Sequence, residues 1–218
     1  MQELNVIQQV AVWALPVLFA ITVHEVAHGW VARQLGDPTA MMLGRLTLNP
    51  LKHIDPIGTV LVPLALIFMH AGVLFGWAKP VPITAENLRH PKRDMALVAA
   101  AGPVSNLVMA ILWALIMKAA LMLPDGLRGL TLPLTYMGWA GININVLLMV
   151  LNLLPVPPLD GSRVVAGFLP DRLAWKYSRI ENYGLIILLL LMVSGILGKI
   201  MSPPVEFVQN TLFRLLGL

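Results

Sequence analysis

Cysteine is absent from this 218-residue sequence, and its absence excludes several kinds of site before any motif is considered. Without thiols the chain can form no disulfide bridge, no thiolate zinc site and no cysteine nucleophile. Any metal ion that it binds must therefore be held by histidine and carboxylate side chains. These are also few, because the sequence has only 5 histidines and 11 acidic residues.

Charged residues are scarce as well, since they make up 12% of the sequence against 58% hydrophobic residues. Soluble domains carry about 25% charged residues, so this balance points to a protein embedded in lipid. The net charge of +4 comes from basic residues that lie between apolar runs and form no basic block. It favours contact with anionic lipid head groups over binding of nucleic acid.

Four apolar runs are long enough to cross a hydrocarbon layer of about 30 Å, which takes roughly 20 helical residues. The predicted spans are Val6 to about Val31, Met95–Leu123, Leu134–Leu154 and Tyr183 to about Ile200. A fifth run, Ile54–Phe75, is interrupted by prolines and glycines and suits either a span or a re-entrant segment. The first run lacks the basic start and cleavage site of a signal peptide, so we expect the mature protein to keep it.

The connecting segments predict shorter elements. Residues 41–50 and 75–83 have the glycines and prolines of edge or bulged β-strands, and residues 161–179 suit an interfacial helix or a connecting loop. No repeat or polar linker divides the chain. We therefore predict one membrane domain over residues 1–218. Its class is all-α polytopic, with about four to five transmembrane helices, a re-entrant or partly inserted segment and short β-strands.

The sequence His24-Glu25-Val26-Ala27-His28 lies inside the first apolar run. Histidines four residues apart lie on one face of a helix and can direct their ring nitrogens at one metal ion. Glu25 beside them is then placed as the general base that activates water. Such side chains in a membrane cost on the order of several kcal/mol unless they face a cavity, a partner or a metal. Catalytic metal binding is therefore favoured over a chance match.

A third metal ligand must come from outside this helix, because catalytic zinc usually has three protein ligands and one open position. Most other acidic residues lie in polar or basic connecting segments, whereas Asp160 directly follows an apolar run and three helix-stopping prolines. Unwound backbone at membrane depth is tolerated where it lines a polar site. Asp160 is the predicted third ligand; the alternative is that it only caps the helix that follows.

Three separated motifs together resemble the site-2 protease family of intramembrane zinc metallopeptidases. They are His24–His28, Ala101-Gly102-Pro103-Val104-Ser105-Asn106 and the proline-rich segment Asn152–Gly161. The segment Gly76-Trp77-Ala78-Lys79-Pro80-Val81-Pro82 also resembles a branch of compact bacterial and archaeal members. The likeness covers about residues 24–161, with the motifs in the expected order.

The resemblance implies one zinc ion per chain, held by His24, His28 and Asp160, with Glu25 as catalytic acid and base. It implies a hydrolase that cleaves peptide bonds in or near transmembrane segments of other proteins. Its partners would be such substrates and the lipid bilayer, with no nucleic acid. We expect neither the regulatory PDZ domain nor the CBS domain that many members carry.

Two asparagines match family positions that are implicated in binding or orienting substrate. These residues, Asn106 and Asn152, are therefore the predicted substrate-binding residues. Interhelical hydrogen bonding is an alternative role for each of them.

The metal ligands also constrain the topology. For His28 and Asp160 to meet, the first span and the Leu134–Leu154 span must run in the same direction, and Ile54–Phe75 cannot be one complete crossing. This arrangement puts most basic residues on the side of the site. By the positive-inside tendency that side is cytoplasmic. We expect an integral protein of a prokaryotic inner membrane with its amino terminus outside and its active site nearer the cytoplasm.

Other functions are compatible with parts of this pattern. A membrane metal carrier or sensor would need the ligands but no general base, so a Glu25→Gln substitution separates it from a protease. A different membrane zinc peptidase would take its third ligand from a glutamate of a later helix; no such glutamate stands out, and Glu181, the one near a span, precedes that span. A purely structural subunit would leave the charged motif unexplained.

Overall fold

A computed structural model describes residues 5–69 and 76–218, and the regular structure of these residues is helical. The α-helices are α1 (Val6–Gln34), α2 (Thr39–Met42), α3 (Val62–Phe68), α4 (Pro91–Leu121), α5 (Arg128–Leu153), α6 (Asp160–Phe168), α7 (Asp171–Ser178), α8 (Glu181–Val193) and α9 (Ile196–Leu216). Short 3-10 turns cover Pro50–Lys52, Ala85–Asn87 and Asp125–Leu127, and a π-helical stretch covers Pro56–Leu61.

Three of the described helices, α1, α4 and α5, are long and apolar enough to cross a membrane. The pair α8 and α9 adds a fourth crossing if it is counted as one broken span. The prediction of a polytopic helical membrane protein is thus confirmed, with three to four candidate spans in the described residues where about four to five were expected.

The helices α4 and α5 pack closely, because small residues line their contact. A Cβ atom added to Gly141 would lie 2.1 Å from Trp113 Cγ, and one added to Gly138 would lie 2.6 Å from Met117 Cβ. Such close approach is the common way for helices to associate in a membrane, where lipid supplies no hydrophobic driving force between them. Because α1 packs against both helices, side chains of all three meet in the interior.

The predicted span from Tyr183 to about Ile200 is not one straight helix. The axes of α8 and α9 form an angle of 82° at the break after Val193. Gly195 adopts a left-handed conformation there, with a φ of 71°, which glycine accepts without the strain that a side chain would introduce. α8 has 13 residues and is roughly 20 Å long, too short to cross the hydrocarbon layer alone.

The prediction of short β-strands is wrong for the described part of residues 41–50 and 75–83. Residues 41–50 contain the end of α2, an irregular stretch and the first residue of a 3-10 turn, and residues 76–83 are irregular; residue 75 lies outside the described part. Pro80 and Pro82 have no N–H groups for a strand ladder, and the Val81 N–H between them donates to Glu25 Oε2 at 2.8 Å. The backbone here thus bonds to a side chain of the site.

The start of the segment Ile54–Phe75 and the residue before it are hydrogen-bonded to the chain that follows the segment. The Lys79 N–H donates to His53 O at 2.9 Å, and the Trp77 N–H donates to Gly58 O at 3.1 Å. The π-helical stretch and α3 have 6 and 7 residues and are together roughly 20 Å long, less than a crossing. The described part of this segment, residues 54–69, thus contains no helix long enough to cross a membrane; residues 70–75 lie outside the described part.

The proline-rich loop after α5 brings the chain back to the bundle. Tyr177 Oη donates to Pro155 O at 2.6 Å, and Gly184 packs so closely that an added Cβ would lie 2.1 Å from Pro157 O. The loop ends at Asp160, the first residue of α6, which packs against α4 and α5. The two helices α6 and α7 occupy the segment for which an interfacial helix or a loop was expected.

Candidate metal centre

The side chains of His24, His28 and Asp160 meet where α1 faces the start of α6. Their ligand atoms all lie within 4.8 Å of one another. The two Nε2 atoms are 3.0 Å apart, and Asp160 Oδ2 lies 3.1 Å from that of His24 and 3.2 Å from that of His28. Ligand atoms of a tetrahedral zinc site with bonds of about 2.0–2.1 Å are roughly 3.3 Å apart. The observed spacing therefore fits one zinc ion.

The other ring nitrogens show which tautomer each histidine adopts. His28 Nδ1 donates to Val98 O at 2.7 Å, since a carbonyl oxygen can only accept. His24 Nδ1 donates to Asn106 Oδ1 at 2.6 Å. In a neutral imidazole whose Nδ1 carries the proton, Nε2 carries a lone pair. Both Nε2 atoms therefore present lone pairs to each other and to the carboxylate.

This convergence of acceptors is unfavourable without a cation. Asp160 Oδ2 is buried and receives no hydrogen bond from the protein. Two lone pairs and a carboxylate oxygen at about 3 Å from one another repel, and burial raises the cost of that repulsion. A divalent metal ion at their centre removes the conflict, so the donor set and its protonation fit zinc.

A chain of amides fixes the orientation of His24. Asn106 is fully buried, and its Nδ2 donates to Asn145 Oδ1 at 2.9 Å and to Ala20 O at 3.2 Å. Asn145 is fully buried too, and its Nδ2 donates to Gly141 O at 2.8 Å. Because the Nδ2 group of Asn106 already donates to two acceptors, its amide cannot turn around, and Oδ1 is the atom that faces His24 Nδ1.

Glu25 is half-buried and stands one residue after the first ligand. Its Oε2 accepts the Val81 N–H at 2.8 Å, so the irregular segment 76–84 lies against the site. That segment is held in turn by Arg45, whose Nη2 donates to Lys79 O at 2.9 Å and to Pro80 O at 3.3 Å.

Asp37, just after α1, ties the other end of this segment in place. Its carboxylate is 1% exposed and accepts from Thr39 N and Oγ1, from Thr84 N at 2.7 Å and from Asn87 Nδ2 at 3.0 Å. Burial alone would raise the pKa of Asp37, but these hydrogen bonds to the charged form outweigh it and hold the pKa below its ordinary value. Asp37 is therefore a charged anchor between the end of α1 and the segment.

Gly102 of α4 faces the two imidazoles directly. An added Cβ would lie 2.5 Å from His24 Cε1 and 2.5 Å from His28 Nε2, which is inside van der Waals contact. No residue with a side chain fits there unless the ligands shift.

Comparison with known proteins identifies the family. Over 206 residues the chain is 36% identical to "Putative zinc metalloprotease YwhC" of Bacillus subtilis, covering 92% of this chain and 89% of that protein. The chain belongs to this family of zinc metalloproteases. It is also 28% identical over 190 residues to "Putative zinc metalloprotease Rip2" of Mycolicibacterium smegmatis, with 84% of this chain matched and 66% of that protein. The Mycobacterium tuberculosis protein of the same name is 29% identical over 185 residues, which are 83% of this chain and 66% of that protein.

No protein-family model matches the metalloprotease, and no solved structure matches it significantly. Because its relatives are named as zinc metalloproteases, zinc is the cofactor of the family. Of the described residues, His24, His28 and Asp160 form the group that can hold it.

Other predicted residues of the metalloprotease lie outside the ligand group. Asn106 contacts His24 and joins helices by hydrogen bonds, which is the alternative role considered for it. Asn152 is half-buried, and its Nδ2 donates to Leu148 O at 3.0 Å within α5. Glu181, the glutamate near a span that was weighed for the other peptidase class, has its Oε1 atom 3.6 Å from Arg163 Nη2.

Sequence reasoning missed three groups that orient the site: the Val98 carbonyl, the Val81 N–H and Asn145. The two backbone groups leave no trace in a sequence. Asn145 did leave one, because a polar side chain in the middle of an apolar span marks a functional position by default.

Proposed function

We propose that this metalloprotease is an intramembrane endopeptidase of the site-2 protease type, which hydrolyses peptide bonds in or near transmembrane segments of other membrane proteins. The proposal rests on one observation above all: two of the metal ligands lie within α1, a helix long and apolar enough to cross a membrane. A peptide bond that reaches such a site arrives from the bilayer or from its surface.

Each residue of the site has a role in this proposal. Zinc held by His24, His28 and Asp160 would polarise the scissile carbonyl and make a water molecule more acidic. Glu25 takes the proton from that water and passes it to the leaving amine. The Val81 N–H holds Glu25 by Oε2, which leaves Oε1 to exchange the proton.

We further propose that Asn152 contacts the substrate backbone near the site, whereas Asn106 acts through His24. Replacing Asn152 by alanine should raise KM and leave zinc binding unchanged. Replacing Asn106 by alanine should weaken zinc binding. An unchanged KM in the Asn152 variant would contradict its role.

The orientation in the membrane is also a proposal. The ends of α1 and α5 nearest the site adjoin most of the basic residues, which favours the cytoplasmic side for the site. Because the chain has no cysteine, single cysteines can report the side directly. A cysteine at exposed Lys52 should react with an impermeant maleimide only from the cytoplasm, and one at exposed Arg128 only from outside. The reverse pattern would overturn the orientation.

The decisive test of the function is the Glu25→Gln variant in detergent or vesicles, measured for zinc content and for cleavage of a transmembrane reporter. Loss of a general base costs roughly 10²- to 10⁴-fold in rate, while the three ligands remain. We therefore expect near-stoichiometric zinc with cleavage abolished. Asp160→Ala should lose both, and Glu86→Gln, an exposed carboxylate outside the site, should lose neither.

The same variants decide between protease and metal carrier. Cleavage by Glu25→Gln at the wild-type rate would refute the proposed mechanism. Zinc movement across vesicles by wild type and Glu25→Gln alike, with cleavage by neither, would establish a carrier instead.

A further inference from the structure

The junction of α7 and α8 carries a cavity that the proposed protease reaction does not use. Its volume is about 290 Å³, and its lining residues are Lys176, Arg179, Ile180, Asn182 and Tyr183. None of these residues belongs to the metal centre. The cavity combines two cations, an amide, a phenol and an aliphatic side chain.

The charge of the two cations is not balanced by nearby carboxylates. Asp171 Oδ1 lies 2.8 Å from Lys92 Nζ, and Glu181 is paired with Arg163. Among the described residues, Lys176 and Arg179 have no ion-pair partner. The cavity is therefore a site of uncompensated positive charge.

Arg179 is oriented by an aromatic ring. Its guanidinium carbon lies 4.9 Å from the centroid of the Trp175 ring, within the range of a cation–π contact. Because a cation–π contact uses no hydrogen bond, the N–H groups of Arg179 can still donate to the oxygens of a phosphate.

The surroundings of the cavity favour a phosphate group that is part of a lipid. Along α8 the large apolar side chains are exposed, among them Ile186, Leu190 and Val193. Trp175 and Tyr183 are also exposed, at 61% and 65%, and such rings favour the boundary between head groups and hydrocarbon. Rings at the head-group boundary would put the two cations at head-group level too, directly before a helix whose exposed face suits acyl chains. A free phosphate ion would use only the cations.

We infer that this cavity binds the head group of an anionic phospholipid, with Lys176 and Arg179 on the phosphate and the exposed face of α8 against an acyl chain. The loop that carries Asp160 lies beside this site, because Tyr177 and Gly184 contact it on either side of the junction. The inference does not depend on peptidase activity.

The test is native mass spectrometry of the zinc-loaded protein in a neutral detergent, titrated with phosphatidylglycerol or with phosphatidylcholine. We expect saturable binding of phosphatidylglycerol that is at least tenfold tighter than that of phosphatidylcholine. The double variant Lys176→Gln and Arg179→Gln should bind phosphatidylglycerol roughly 10- to 30-fold more weakly. Equal binding of the two lipids by wild type would overturn the inference.

Control variants separate the cavity from general charge and from misfolding. Replacing exposed Lys52 and Arg89 by glutamine removes the same charge elsewhere and should leave lipid binding intact. Lys176→Arg should also retain it, and every variant should keep its zinc. If the control double variant lost as much phosphatidylglycerol affinity as the cavity double variant, the inference of a defined lipid site would be refuted. Full displacement of the lipid by millimolar inorganic phosphate would show that the cavity binds free phosphate and would overturn the lipid assignment.

Discussion

Replacing Asn145 by alanine should weaken zinc binding, although Asn145 touches neither the metal nor a metal ligand. It supplies the acceptor that holds Asn106 Nδ2 at 2.9 Å, and Asn106 in turn holds His24. Without it, Asn106 keeps only its longer 3.2 Å bond to Ala20 O, and the amide gains room to turn. A turned amide offers an N–H to His24 Nδ1, which would force the wrong tautomer for a ligand.

The size of the effect follows from the position of each residue in the chain of bonds. Removing the direct partner of a ligating histidine costs about 10- to 100-fold in metal affinity, which is the expectation for Asn106→Ala. Asn145 acts one hydrogen bond further from the metal, and the bond from Asn106 to Ala20 O remains. We therefore expect Asn145→Ala to weaken zinc binding about 3- to 10-fold, or roughly 0.7 to 1.4 kcal/mol. The double variant should be no weaker than Asn106→Ala alone, because both changes act through one bond to His24.

The assay is competition between the purified protein and a calibrated chelator, which yields the zinc dissociation constant of each variant. Asn143→Ala is the matched control, since Asn143 lies on the same helix but bonds to Trp139 O and to Gln209. Its dissociation constant should equal that of wild type. An unchanged constant in Asn145→Ala, or fully additive losses in the double variant, would refute the proposed relay.

The remaining predictions concern the packing and charge around the centre. Gly102→Ala should lower zinc affinity at least about tenfold, because its methyl group would displace the imidazoles, whereas Gly198→Ala faces open space and should change nothing; chelator competition checks both. Asp37→Asn should cost about 1 to 3 kcal/mol of stability near pH 7, since its amide cannot accept at both former oxygens. The pKa of folded Asp37 lies below the ordinary value of about 3.9, so its contribution persists above that pH and is lost as the pH falls through the folded value. Thermal unfolding between pH 3 and 7 should therefore show a steeper acid loss in wild type than in the variant. Removing zinc with a chelator should lower the melting temperature, and added zinc should restore it.

Much of the ligand group was predictable because its spacing follows from helix geometry. Two histidines four residues apart share a face of any helix, and three prolines before Asp160 force the chain out of one. The structure brings these three residues together as expected. The orienting groups were less predictable, because the Val81 N–H lies 56 residues from Glu25 and any residue except proline has such a group.

The fold shows the same division. Hydropathy identified α1, α4 and α5, since each is a continuous apolar run. It joined α8 and α9 into one span because average hydropathy is insensitive to a single left-handed residue such as Gly195. The strand prediction was wrong because it rested on local composition, which suits an edge strand. The Val81 N–H bonds to the distant side chain of Glu25 and not to a neighbouring strand.

The metal centre also has a consequence for the order in which the protein matures. Its ligands come from α1 and α6, and the groups that orient them come from α4 and α5. During synthesis His24 and His28 are translated well before Asp160. A nascent chain that ends before Asp160 lacks the third ligand and therefore cannot hold zinc in this geometry.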